Sequence, residues 1–471
     1  MGLYKKNPEY SYHHIEGETG YSLLYSKSTD NCVILDPVAT ALWKASGDTI
    51  DSDLTSEEFA KVFNTENAVQ YMQRTVQKLY AAGILDTQSG PDEPRITADC
   101  TSFGDYTLDT INYYITDECN CRCYHCYQPT KTVKSTIHIA PPGQLSHRTF
   151  LRFVQQALPL GLKDIKITGG EPLLRDDIEE LIKGIRHLGV GVSIETNGFL
   201  LTEKLAELLA QEVKLAALSL DGGSAALHDR LRRRPGSFDR AIQSMRMLSS
   251  RGCKVQAIMS VSRLNVAEID SAIARAAENG CSSFKVNIVV TLGDASWLEN
   301  SEILLKISEM LDLSRSPRKL EAKHKIPVFL DGPPCFASIR DAFTNGVGAC
   351  RFTNLLGVLS NGAISYCGIG NSCPELVFGN ILDDGFDLQR FWLEAKPLQL
   401  ARKVLSNKLD GVCQHCVFEA SCKGSCRAFA YSQYKSLQKP HPWCQEAFDK
   451  GLFPSYLLIK DRRQEVTAQG S

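Results

Sequence analysis

The chain has 471 residues, with 52 Lys and Arg against 54 Asp and Glu for a formal net charge of −2, and 43% hydrophobic against 23% charged residues. That length predicts two to four domains rather than one small core. The charge balance gives no electrostatic basis for sequence-independent nucleic-acid binding, and the apolar content excludes wholesale disorder.

No run of about 18 apolar residues is present, and the N-terminal MGLYKKNPEYSYHH lacks an apolar stretch. The expectation is a cytoplasmic protein with no membrane partner. Residues 1–86 predict a small α/β domain. Short strands at 21–25 and 32–35 lead into Asp36-Pro37, an N-cap followed by proline at the first helical position. Thr55-x-x-Glu58 forms a capping box ahead of a second helix, and a third helix over 68–82 stops at Gly83. A polar Pro/Gly-containing linker spans 87–104.

From 105 to 330, strand-like runs at 111–116, 164–168, 191–195, 215–220, 254–260 and 283–289 alternate with amphipathic segments at 176–188, 202–211, 237–251 and 266–279. Such alternation predicts six parallel βα units, an open partial TIM-like (βα)6 barrel, with ligands at the C-terminal ends of the strands. Residues 331–450 show weaker periodicity and dense Cys, Gly and Pro, as expected of a domain held by metal, and 451–471 form a tail.

The 17 cysteines are clustered: four lie in 119–126 and nine in 335–444. A reducing compartment argues against a disulfide framework. Burial as small hydrophobes accounts for Cys32, Cys253 and Cys281 but not for the clusters. Cys119, Cys123 and Cys126 are spaced C-x3-C-x2-C directly after the first barrel strand. Zinc would want a fourth thiol, which Cys121 could supply. Three thiolates suit a [4Fe–4S] cluster better, because one iron is left open for a substrate or cofactor.

This spacing, in a chain of six βα units, resembles the radical S-adenosylmethionine (SAM) superfamily. The resemblance implies a cluster on Cys119, Cys123 and Cys126 whose free iron binds SAM and whose electron cleaves it to methionine and a 5′-deoxyadenosyl radical. Gly169, Gly170, Glu171 and Pro172 resemble the family's GGEP, which contacts the SAM amine. Glu195 and Asn197 end the third strand and Ser219 the fourth, where the family contacts the SAM ribose and carboxylate. Cys121 is a bystander in that comparison. The Arg-rich segment at 228–235 reads as a solvated, partly paired face, with a phosphate or nucleic-acid site as the rival and docking of an acidic peptide stretch also open.

Cys350, Gly362, Cys367, Cys413, Cys416, Cys422, Cys426 and Cys444 resemble the seven-cysteine SPASM signature, C-x9–15-G-x4-C followed by C-x2-C-x5-C-x3-C and a last cysteine. A zinc-ribbon site would use Cys413, Cys416, Cys422 and Cys426 and leave the other three unexplained. The SPASM resemblance implies two auxiliary [4Fe–4S] clusters, hence three in all. Cys413, Cys416, Cys422 and Cys444 would hold one, and Cys350, Cys367 and Cys426 three corners of the other. Cys335 is the candidate for its fourth corner, with Cys373 or an open iron as alternatives.

Residues 1–86 resemble the winged-helix-like recognition domain of ribosomal-peptide modification systems, akin to the peptide chaperone of pyrroloquinoline quinone biosynthesis. That likeness implies a leader peptide added to an exposed strand edge and packed on the last helix. The whole chain then reads as a peptide maturase fed by a reducing electron donor, installing a thioether or carbon–carbon crosslink. The alternatives are a formylglycine-generating sulfatase-type maturase and a non-catalytic iron–sulfur electron carrier. No general base is identifiable.

Overall fold

The computed structural model describes residues 3–14, 21–26, 32–45, 49–51, 68–87, 106–133, 143–292, 302–337 and 353–459. The helix expected after Thr55, nearly all of the 87–104 linker, Cys350 and the tail from 460 onward lie outside the described residues.

The N-terminal unit contains two three-stranded antiparallel sheets. In one, β1 (Leu3–Lys6) lies between β5 (Thr49–Asp51) and β6 (Leu85–Thr87); in the other, β3 (Ser22–Ser26) lies between β2 (Tyr10–His14) and β4 (Cys32–Leu35). The helix α1 (Pro37–Ala45) starts as expected, with the Asp36 carboxylate accepting the Ala39 N–H at 2.7 Å. The helix α2 (Ala68–Ala81) ends at Gly83, whose φ of +70° is the left-handed cap that glycine adopts without strain. Side chains alternate across a strand, and β3 uses both faces. Leu24 joins Leu35, Leu42, Trp43, Leu79 and Ile84 in a small local core, while Leu23 and Tyr25 enter the main apolar cluster of the molecule.

The body is one ten-stranded sheet in the order β15-β14-β13-β12-β11-β10-β7-β16-β17-β18. Six parallel strands make the partial (βα)6 barrel: β7 (Thr110–Tyr114), β10 (Asp164–Thr168), β11 (Gly191–Thr196), β12 (Leu215–Ser219), β13 (Val255–Val261) and β14 (Ser283–Ile288). Each falls within two residues of its expected span. Between β7 and β10 come a small ladder of β8 (Glu118–Cys119) on β9 (Lys131–Thr132) and the helix α3 (His147–Ala157). The other covering helices are α4 (Ile178–His187), α5 (Glu203–Glu212), α6 (Ala225–Arg232), α7 (Ser237–Ser249) and α8 (Ile269–Glu278). Ile165, Ile167, Val192 and Ile194 are fully buried against them, whereas the alternating Lys166 and Glu195 face the lumen and stay partly accessible.

Both open edges of the barrel are covered. After α9 (Ile307–Ser314) and α10 (Pro317–His324), β15 (Val328–Asp331) pairs parallel to β14; β16 (Leu355–Val358) pairs parallel to β7 and continues antiparallel into β17 (Ala363–Ser365) and β18 (Val377–Asn380). An open strand edge invites foreign pairing, and these additions move the sheet's edges from β14 and β7 out to the four-residue strands β15 and β18.

The C-terminal part is more helical than its weak periodicity suggests. It contains α11 (Leu388–Glu394), α12 (Lys396–Ser406), α13 (Glu419–Cys422), α14 (Arg427–Tyr434) and α15 (Pro442–Asp449). Trp392 of α11 is fully buried, donates its indole N–H to the Tyr106 carbonyl at 2.6 Å, and carries the Arg402 guanidinium over its ring. Among the described residues, no helix is long and apolar enough to cross a membrane.

Candidate active site at the barrel mouth

The first cysteine loop leaves β7 and is closed by the β8–β9 ladder. Its backbone is fastened to the end of α6. The last carbonyls of a helix have no partner within the helix. Here Leu231 and Arg232 offer theirs to the N–H groups of Tyr124 at 3.0 Å and Arg122 at 3.2 Å. Arg233 stands over the Tyr124 ring at 3.8 Å, and Arg234 over the Phe199 ring at 4.4 Å. The Arg-rich segment is therefore partly solvated and partly paired, as expected, with Arg230 and Arg233 exposed and Arg232 turned inward. It buttresses the cysteine loop, and Arg232 is 7% exposed.

Arg232 Nε donates to Asp221 Oδ2 at 2.7 Å, and His125 Nε2, from within the loop, lies 3.3 Å from the same oxygen. The other Asp221 oxygen accepts the Ser260 N–H at 2.9 Å. Burial opposes the Asp221 charge, but Arg232 and His125 outweigh it and hold the carboxyl far below its ordinary range. Burial with Arg232 alongside pushes His228 down to about 4, so it is neutral and its Nδ1 accepts the Asp221 N–H at 3.1 Å. Spacing does not single out Asp221, Arg232 or His125. The available signal is an Asp directly after a strand with an Arg run ten residues on.

The paired glycines after β10 are required by close backbone approach. A Cβ on Gly170 would stand 1.9 Å from the Glu118 carbonyl oxygen, and one on Gly169 2.6 Å from that of Thr116. Gly170 N–H donates to Thr116 O at 2.7 Å, and Glu171 N–H to Glu118 O at 2.8 Å. The turn is thus laid against the strand that delivers Cys119.

Glu171 is 1% exposed, and both of its oxygens have protein donors. Thr196 Oγ1 donates at 2.5 Å, Leu173 N–H at 3.0 Å and Asn197 N–H at 2.8 Å. Burial raises its pKa despite those bonds. Glu171 therefore clamps the end of β11 to the end of β10. Asn197 in turn donates through Nδ2 to Asn120 Oδ1 at 2.7 Å, inside the cysteine loop. Pro172 opens a buried single turn beneath this clamp.

Glu195 faces the lumen, where Lys166 Nζ lies 3.1 Å from Oε1 and Thr168 Oγ1 donates to Oε2 at 3.1 Å. Burial works to raise the Glu195 pKa, and Lys166, with Lys285 further off, prevails and lowers it. Lys285 pairs with Asp331 at 2.8 Å. Ser219 shares the lumen face with Ala217, which pairs in register with Glu195. Beside the mouth, a cavity of about 430 Å³ is lined by Thr116, Asp117, Gln128, Gly170, Asn361 and Asn371, among others.

The thiols fit iron–sulfur ligation by donor type. Cys121 lies between Cys119 and Cys123 in sequence, and its backbone N–H donates to Cys119 Sγ at 3.4 Å. Asn120 Nδ2 is buried in this loop without a hydrogen-bond partner, leaving a donor for a bound group. In the C-terminal part, Cys413, Cys416, Cys422 and Cys444 are mutual electrostatic neighbours in every pairing. Cys367 neighbours Tyr114 and Lys166 at the barrel wall, and Cys426 caps α14. The charged groups around Cys373 are Glu375 and Lys435. Cys335 Sγ is 3.2 Å from Cys444 Sγ, and Cys350, with which it was expected to group, lies outside the described residues. Among the described residues, no three His, Cys, Asp or Glu side chains are arranged around a single ion.

Residues 113–276, which span the cysteine loop and all the strand-end motifs, match the radical SAM superfamily. The AdoMet-dependent heme synthase of Oleidesulfovibrio alaskensis is 26% identical over 357 residues, covering 71% of this chain and 86% of that protein. The mycofactocin maturase MftC of Mycobacterium tuberculosis is 27% identical over 345 residues, covering 71% and 82%. The crystal structure of Streptococcus suis SuiB bound to precursor peptide SuiA superposes with a TM-score of 0.59 at 17% identity, covering 94% of this chain and all of that one. Residues 113–276 are thus a radical SAM domain, and a cysteine-rich C-terminal part follows it.

Proposed function

We propose that the chain is a maturase that modifies a ribosomally made precursor peptide, binding its leader on the N-terminal unit and its core at the barrel mouth. The observation that carries this reading is the extent of the likeness to SuiB, 94% of this chain, which takes in sequence well outside the 113–276 catalytic match. A separate recognition unit raises the effective concentration of a flexible peptide at the barrel, so the reaction pocket need not read its sequence.

Cys119, Cys123 and Cys126 would hold the SAM-binding [4Fe–4S] cluster, the turn at Gly169–Pro172 with Glu195, Asn197 and Ser219 would line SAM, and the remaining signature cysteines would hold two auxiliary clusters. When bound and reduced by an external electron donor, the first cluster supplies the electron that cleaves SAM to the radical that takes a substrate hydrogen. The chain's own residues do the positioning. Glu171 and Asn197 lock the strand-end turns to the cysteine loop, Asp221 and Arg232 brace that loop from below, and the Lys166–Glu195 pair sets the charge of the lumen.

A thioether or carbon–carbon crosslink is favoured over epimerisation. A sulfatase-type maturase has no use for a leader reader, and an electron carrier would have none for a three-thiolate loop beside an amine-binding turn. The test is mass spectrometry of a precursor peptide encoded beside the gene, incubated anaerobically with enzyme, SAM and reductant. Loss of two hydrogens with an internally crosslinked fragment is expected. SAM turnover on a tetrapyrrole with the peptide untouched would overturn the proposal and favour the chemistry named for the heme synthase relatives.

A further inference from the structure

Cys335 is a fifth thiol beside a set of four. It sits on the short turn Pro334–Phe336 just beyond β15 and is 5% exposed. Cys413, Cys416, Cys422 and Cys444 already supply the four sulfurs a cubane takes. Cys335 approaches that set at Cys444, with a sulfur–sulfur distance of 3.2 Å, and its next thiol neighbours are Cys416 and Cys422. The approach is fixed on both sides. Phe336, next to Cys335, packs edge-on against Trp443, next to Cys444, at 6.1 Å and 80°, and both rings are buried.

We propose that Cys335 is a positioning residue whose thiol donates a hydrogen bond to the ligand sulfur of Cys444. The inference rests on the reading that the four-thiol set holds a cluster. A ligating cysteine has given up its proton, so its sulfur can only accept. A buried S–H at this distance is the donor that remains. Hydrogen bonds to cluster sulfurs favour the more negative, reduced state and raise the potential. Cys335 also hangs from β15, whose Asp331 pairs with Lys285 in the lumen. The bond therefore joins the barrel wall to the C-terminal cluster, so a shift of β15 would reach the cluster through one contact.

The test uses anaerobically reconstituted full-length enzyme, with iron per chain measured and each cluster's midpoint potential followed by EPR. Cys335→Ala should keep the wild-type iron content and move one auxiliary midpoint to more negative values. Cys335→Ser, which retains a donor, should move it less. Loss of about four irons in Cys335→Ala would make Cys335 a ligand, and an unchanged midpoint would remove the hydrogen bond; either overturns the proposal. If the alanine variant does not fold, Cys335→Val, which fills similar space and has no donor, takes its place: full iron with a more negative midpoint supports the bond, and lost iron or no shift refutes it. Wild-type enzyme that itself lacks the C-terminal cluster would instead sink the reading beneath it.

Discussion

Arg232 and Asp221 form an ion pair beneath the cysteine loop, with nitrogen and oxygen 2.7 Å apart and the Asp221 side chain wholly removed from solvent. His125 joins them from the loop itself, so one carboxylate braces the segment that carries Cys119, Cys123 and Cys126. Two charges taken out of water are held only while each has its partner.

Asp221→Ala should therefore lower stability by about 3–5 kcal/mol, since it leaves Arg232 charged and unpaired in the interior. Urea unfolding of wild type, Asp221→Ala, Arg232→Met and the double variant measures this. The double variant should recover part of the loss, because no unpaired charge remains. Two single losses that simply add would show that the residues do not act as a pair.

A second network ties the GGEP turn to the first strand and responds to acid. Arg175, 3% exposed, donates to the carbonyls of Ile115 and Leu145 at 3.0 Å each and grips Asp177 through Nε and Nη2 at 2.7 and 2.6 Å. Burial works to raise the Asp177 pKa, but Arg175 and then His147 outweigh it and lower it. A depressed carboxyl contributes stability that is present above its unfolded pKa, about 3.9, and is lost as pH falls through the folded value. Asp177→Asn should cost about 2 kcal/mol at neutral pH. The gap from wild type should stay constant down to about pH 5 and narrow below about pH 4. Unfolding measured across that range checks it, and a gap that does not close in acid would be against it.

Much of this was legible in the residues because period and spacing are local. The six barrel strands are short apolar runs, most of them separated by helix-length amphipathic segments, and GGEP names glycines that the backbone contact with Thr116 and Glu118 does require. The edge strands were not legible. Val328–Asp331 and Leu355–Val358 have four residues each, too few to show a period, and are strands because a neighbour offers its backbone. The same holds for Asp221 and Cys335. The first gains its meaning from an arginine eleven residues away and the second from a cysteine 109 residues away, and only the fold brings either pair together.

Glu171→Gln tests the clamp. The carboxylate takes three donors, while glutamine offers one acceptor oxygen and turns an N–H toward donors that need an acceptor. Leaving a buried donor unpaired costs about 1–3 kcal/mol. The variant should unfold earlier and bind SAM more weakly, as read by calorimetry. If stability is unchanged and only SAM affinity drops, Glu171 contacts the ligand and does not serve chiefly as a clamp.

Replacing Cys119, Cys123 and Cys126 together by Ala should remove about four of roughly 12 irons per chain, three clusters of four. Formation of 5′-deoxyadenosine should cease while the remaining iron stays bound. SAM cleavage at the wild-type rate would end the assignment of this loop.

The last prediction concerns the N-terminal unit. Its sheets end in β2 and β4, and in β5 and β6, with no further strand paired to them among the described residues. An added strand satisfies backbone groups whatever its side chains, so selectivity must come from the neighbouring helix face. On α2, Tyr80 is 39% exposed and is held edge-on by Tyr4 at 5.6 Å, a ring kept at the surface rather than folded into the core. Tyr80→Ala should weaken leader binding severalfold in calorimetry and leave uncoupled SAM cleavage alone. Deleting residues 1–86 should go further, lowering peptide affinity at least about tenfold, or 1.4 kcal/mol, while the cysteines and strand-end motifs stay in place. The deletion also strips Leu23 and Tyr25 from the main apolar cluster, so it tests support as well as recognition. The point variant separates the two roles. If Tyr80→Ala binds leader as wild type does, and the deletion loses SAM cleavage as fully as peptide processing, the unit is a prop for the barrel and not its reader.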